Sequence, residues 1–231
     1  MRIIAGIVSL AVLMWVGGAT AQKSTYALSV SIHRAVPALS DGEVKRILAD
    51  ASKMLQKNPR RNDDDVACDV TFTLKGSVGT FESPDRPVVN RDNIAAFHLV
   101  DSNVAGVDFR VKVVKEINFC RPDLPNPDGA FDGCSFSPPD FRSIIVVHPK
   151  FHKNPRDLNG PPLSSYPDHL LWPHEFGHLT GLPHRRDRFA LMTPCSLSDV
   201  PDARVQVNRA ECRRLLSGPG APPPRPIGCR P

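Results

Sequence analysis

His174-Glu175-Phe176-Gly177-His178 sets two imidazoles four residues apart with a carboxylate beside the first. On a helix, residues i and i+4 lie one turn apart on the same face, so both rings can reach one metal ion at about 2.0–2.1 Å. Glu175 lies close to that face but cannot easily join both rings on the same ion, which suits it to polarise a metal-held water and take its proton. The run continues through Leu179-Thr180-Gly181-Leu182-Pro183 to His184. Gly181 permits the left-handed turn that ends a helix and swings the chain back. His184 then supplies a third imidazole, and a fourth position stays open for water. With eight His in the chain, the extended spacing has a chance frequency on the order of one in 10⁵. The pattern points to hydrolysis at a single zinc ion, with His174, His178 and His184 as ligands and Glu175 as general base. His33, His98, His148, His152 and His169 lack such spacing and read as ordinary core or solvated side chains.

These residues need a helix, and the surrounding pattern supplies one. From Ser164 the chain reads helical, with Ser165-x-x-Asp168 in the spacing of a capping box and Gly181 as the stop. Pro173 either kinks that helix or opens a shorter one. Upstream, residues 26–33 alternate like a strand, and 41–55 carry apolar residues at 44, 47, 48, 51, 54 and 55, one face of an amphipathic helix. Strand-like runs follow at 68–74, 94–99, 109–117 and 143–148, between turn-rich loops. A last amphipathic segment, 207–216, precedes a Pro/Gly-rich tail. The acidic run 62–65 lacks the spacing and glycine of a calcium loop and reads as a solvated turn. The expected class is α+β with a mixed sheet.

The segment His174 to His184 resembles the extended zinc-binding motif of the metzincin metallopeptidases. Ala190-Leu191-Met192-Thr193-Pro194, with Met192 eight residues past His184, resembles the Met-turn of that family. The resemblance implies a metzincin-like catalytic domain: a mixed twisted sheet, an active-site helix and a small C-terminal subdomain. It implies a zinc endopeptidase with Met192 as a structural floor and not a ligand. Gly133-Cys134 followed by residues 143–148 is similar to the strand region ahead of the active-site helix in reprolysin-like members. An extended substrate is expected in the cleft, pairing with an edge strand near 109–117 or 143–148.

The chain also departs from the family. Arg185 follows His184 where matrixin-, adamalysin-, astacin- and serralysin-like chains carry Ser, Asp, Glu or Pro, and Pro194 stands where astacins and serralysins carry Tyr. Cys120-Arg-Pro-Asp123 has the letters of a matrixin cysteine switch in the wrong order. The subfamily, matrixin- or reprolysin-like, stays open. A distant Glu as third ligand has one downstream candidate, Glu211, which lacks the Asn-Glu pattern of that class, so His184 is preferred. An alternative of another kind is an exported binding or toxin-like module with a non-catalytic zinc site, motivated by Arg185, the absent Tyr and the basic charge. Glu175 speaks against it, since a structural zinc needs no general base.

Composition bounds the rest. The chain has 231 residues, 41% hydrophobic and 23% charged, with 24 Pro and 15 Gly, which is globular composition. Aromatics at 6% exclude a stacking platform for single-stranded nucleic acid, and a net charge of +5 is read as that of a basic exported protein. Met1-Arg2, the apolar run 3–16 and Ala19-Thr20-Ala21 form a secretory signal peptide, residues 1–21. The peptidase domain is then expected over 22–217 and the tail over 218–231. All six Cys lie beyond the signal, where proximity favours Cys120–Cys134 and Cys195–Cys212, leaving Cys68–Cys229. A secreted or periplasmic monomer acting on protein or peptide is expected, with no nucleic-acid partner and no membrane association after signal cleavage.

Overall fold

The computed structural model describes residues 24–57, 63–101, 104–120, 128–136, 142–151, 168–193 and 204–220. The expected signal segment, His152, Ser165, Pro194, Cys195, Cys229 and the tail beyond Gly220 lie outside them. Strand β1 (Ser24–His33) alternates as its sequence requires: Leu28, Val30 and Ile32 enter one core, while Ser29, Ser31 and His33 face the other side of the sheet. Helix α1 (Asp41–Gln56) starts where Ser40 Oγ accepts from the Glu43 N–H at 3.2 Å and Glu43 Oε2 accepts from the Ser40 N–H at 2.7 Å. It buries Val44, Leu48, Ala51, Met54 and Leu55. Its Ser52 hydroxyl accepts from the Phe72 N–H at 2.9 Å and so covers the outer edge of strand β2 (Val70–Leu74).

Strands β3 (Gly79–Phe81) and β4 (Val88–Val89) lead to helix α2 (Ile94–Leu99), strands β5 (Phe109–Val114), β6 (Glu116–Phe119), β7 (Asp128–Phe131), β8 (Gly133–Phe136) and β9 (Ser143–Val147), then helices α3 (Asp168–Leu179) and α4 (Arg209–Ser217). The main sheet runs β2-β1-β5-β9-β8, with β3 also on β1. Its pairings are parallel except that of β8 with β9, so the sheet is mixed, as expected for the α+β class. A small second sheet runs β4-β6-β7. No helix among the described residues is long and apolar enough to cross a membrane.

Five expectations need correction. Residues 94–99 form α2 and not a strand: Ile94 and Phe97 recur three apart with two alanines between them, and that face covers the sheet opposite α1. The run 109–117 is two strands, because the chain leaves the main sheet after Val114 and β6 joins the small one. Strands β5 and β9 are interior, and the terminal strand beside α3 is the antiparallel β8. Cys120 bonds Cys134 as expected, but Cys212 bonds Cys68 and not Cys195, since α4 folds back across 144 residues of sequence onto the start of β2. The acidic turn is also only partly solvated: Asp63 and Asp64 are exposed, while Asp65 is buried and bridges to Asn208.

The sheet face under α2 holds a fully buried Lys112, whose Nζ lies 3.2 Å from Asp101 Oδ2 and 3.1 Å from Ser31 Oγ. Burial pushes its ammonium down to about 8, against the pull of Asp101. The unfolded chain therefore binds more protons between pH about 8 and the ordinary lysine value of 10.5, and stability rises with pH in that window. Urea unfolding of wild type should show this rise, on the order of 1 kcal/mol per pH unit from Lys112, and Lys112→Met should lack it. Identical pH profiles for the two proteins would contradict the assignment.

Candidate metal centre

Helix α3 is buried on nearly every side. Leu170, Leu171, Trp172, Pro173, His174, Glu175, Phe176, Gly177 and Leu179 are all inside, against α1, β8 and β9. Phe176 fixes it to the sheet: its ring centroid lies 4.7 Å from that of Tyr26, 5.1 Å from Phe72 and 5.0 Å from Phe109. Pro173 sits within the helix, so of the two readings the short one that begins at Pro173 is set aside. The helix ends as the glycine allows: Gly181 takes φ 82°, and the Leu182 N–H reaches back to Gly177 O at 3.0 Å.

That turn brings His184 back to the helix. The ring centroids of His174 and His178 are 4.8 Å apart, those of His178 and His184 4.6 Å, and those of His174 and His184 5.4 Å. One nitrogen of each ring lies within 4.8 Å of the others, and His178 Nε2 is 3.0 Å from His184 Nε2. The outer nitrogens are engaged: His174 Nδ1 contacts Leu191 O at 2.7 Å and His178 Nδ1 contacts Leu182 O at 2.8 Å. A carbonyl only accepts, so each Nδ1 carries the proton and each Nε2 presents its lone pair to the common centre. Burial holds His174 at about 3, with the His184 charge acting the same way and the Leu191 bond opposing, so the ring is neutral as a ligand must be.

Glu175 is buried beside this group. Ser135 Oγ, on β8, touches both the Glu175 carbonyl at 2.8 Å and, closer still, its Oε2. One hydroxyl has one proton, so both contacts are hydrogen bonds together only when the carboxyl is protonated and donates to Ser135. Burial pushes the Glu175 carboxyl up to about 7; the Ser135 bond opposes this and the Asp132 charge adds to it. A divalent cation on the neighbouring imidazoles would pull it back down. Gly133 is required here, since a Cβ would lie 2.7 Å from Glu175 Cγ and Cδ. Ser135 had no signal in sequence: a lone serine on a short strand becomes informative only when β8 is seen against α3.

Met192 is fully buried under the helix, its sulfur against Gly177. The Arg185 N–H closes the loop on Met192 O at 2.7 Å, and the Leu191 N–H is held by Gln206 O at 2.9 Å. The remaining described histidines lie outside the cluster. His33 contacts Pro84 O at 2.8 Å and accepts from the Ala35 N–H at 3.1 Å; buried His98 is pushed down to about 3, by burial first and by Lys112 and Arg110 next. His148 accepts from the Lys150 N–H at 3.2 Å, and His169 is also apart from the three imidazoles.

No family model matches this chain, and no curated protein matches it. Among solved structures it is similar to an archaemetzincin from Methanopyrus kandleri, at 18% identity over 83% of this chain and 93% of that one, with a TM-score of 0.47. A zinc-dependent peptidase from Methanocorpusculum labreanum is 14% identical over 82% and 99% of the two chains, with a TM-score of 0.47. Mirolysin in complex with a compound is 14% identical over 84% and 91%, with a TM-score of 0.43. What the site can hold is decided by its own donors. Three converging imidazole nitrogens with no thiolate among them, two of the rings held from behind by backbone carbonyls, fit a zinc ion and leave room for a fourth ligand.

The close seating of Met192 has a measurable consequence. An exposed helical Gly→Ala change gains about 1 kcal/mol. At Gly177 the new methyl would overlap the Met192 sulfur and lie 3.0 Å from its Cε, and overpacking of that kind costs about 1–3 kcal/mol. Gly177→Ala should therefore lower stability in urea unfolding, and a gain would contradict this packing.

Proposed function

We propose that this chain is an exported, metzincin-type zinc endopeptidase in which His174, His178 and His184 hold one zinc ion and Glu175 is the general base. The observation that carries this is the convergence of one nitrogen from each of three imidazoles beside the buried carboxyl of Glu175. A zinc ion held there supplies Lewis acidity, bringing the pKa of a water toward about 7 and polarising the peptide carbonyl. Glu175 takes the proton of the attacking water on its carboxyl group and passes it to the leaving amide nitrogen. Burial raises this carboxyl and a neighbouring cation lowers it, and the two opposing effects keep it able both to take a proton and to give it up. Ser135 holds one carboxyl oxygen of the base. Leu191 and Leu182 carbonyls keep the first two imidazoles in the ligand tautomer.

The substrate lies extended along β8, the terminal strand of the main sheet among the described residues and the one next to α3, in place of the interior strands first expected. Met192 serves as the floor of the site. Residues 22–217 act as one catalytic domain after removal of 1–21, and the two disulfides suit an oxidising compartment. Glu175→Ala should keep one zinc per chain while cleavage of a denatured protein substrate falls by about 10²–10⁴-fold. Undiminished cleavage would overturn the mechanism; one equivalent of zinc with no cleavage of any peptide by wild type would favour the binding module instead.

A further inference from the structure

Arg185 follows the third histidine directly and turns toward α4. Its Nε lies 3.2 Å from Glu211 Oε1, at an angle that makes this an ion pair and not a hydrogen bond, with the arginine side chain a quarter exposed and the glutamate almost enclosed. Glu211 cannot swing away. Its Oε2 accepts from the Asn208 N–H at 2.8 Å, its own N–H donates to Asn208 Oδ1 at 2.8 Å, and the next residue, Cys212, is bonded to Cys68. Asp187 and Asp65 add negative charge around the same carboxylate, so the Arg185 guanidinium offsets a local excess of three acids.

The loop that Arg185 begins serves two ligands at once. His184 precedes it, and Leu191 at its far end gives the carbonyl that orients His174. Its neck closes through the Arg185 N–H to Met192 O at 2.7 Å, and its returning side is tied to the C-terminal segment by the Leu191 N–H to Gln206 O at 2.9 Å and the Gln206 N–H to Phe189 O at 2.7 Å. An arginine anchored on the disulfide-held α4 fixes the side of this loop next to His184.

We infer that Arg185 and Glu211 form a clasp that positions His184 for the metal, a positioning role that rests on His184 being a ligand. Losing a partner that orients a ligand weakens metal affinity by about 10–100-fold, the range expected for a clasp that acts through the backbone next to His184. The test uses the full mature chain as wild type, Arg185→Met, Arg185→Lys and Glu211→Gln. Zinc dissociation constants are measured by chelator competition, and amide hydrogen exchange is followed in the zinc-free proteins. Arg185→Met and Glu211→Gln should bind zinc about 10–100-fold more weakly, and Arg185→Lys, which keeps the cation, should recover most of the loss. In the zinc-free Arg185→Met protein, the amides of position 185 and of Leu191 should lose protection while those of Leu48 and Ala51 in α1 hold theirs. Unchanged zinc affinity, or an equal loss of protection in α1 and the loop, would overturn the clasp. A wild type that binds no zinc would instead defeat the metal assignment, and the exchange comparison alone would then decide whether the pair holds the loop.

Discussion

Everything at the site depends on how α3 is seated. A helix carrying two histidines and a glutamate is polar on one face, yet nearly all of α3 is buried, so the enclosure must come from side chains that leave the helix no other place to sit. Phe176 does most of this. Its ring meets three others, from β1, β2 and β5, so one residue between the two histidines locks the helix to three strands at once. Removing a buried Phe side chain of this kind costs about 3–5 kcal/mol. The imidazoles are held where they are because rotating the helix would pull Phe176 out of that cluster.

Seating the helix also sets its electrostatics. Burial alone would favour uncharged side chains, and the groups around α3 turn that to use. His174 is kept neutral with its proton on the nitrogen that faces a carbonyl, while burial pushes the Glu175 carboxyl up to about 7. Two glycines make this possible by absence of a side chain: Gly133 leaves room for the Glu175 carboxyl and Gly177 for Met192. Each lies opposite a functional residue, and neither needs an unusual backbone angle.

The sequence and the structure agree where a single periodicity decides the outcome. The apolar spacing of 41–55 became α1 and the alternation of 26–33 became β1, while the spacing of His174, His178 and His184 became a cluster. The disagreements fall where the decision is made by distant partners. Ile94 to Leu99 is too short for periodicity to separate helix from strand, and what decides it is the sheet face that needs a cover. Cys212 is nearer in sequence to Cys195, yet α4 docks its face against Cys68. Ser135 and Glu211 become informative only when β8 and α4 come to rest against α3 and the loop that follows it.

The most direct measurement of the central claim is X-ray absorption at the zinc edge on the mature chain loaded with one equivalent of zinc. Three imidazole nitrogens at about 2.0–2.1 Å and one further oxygen are expected, with the imidazole signal reduced by one in His184→Ala. A sulfur neighbour at about 2.3 Å, or a spectrum unchanged by His184→Ala, would contradict it.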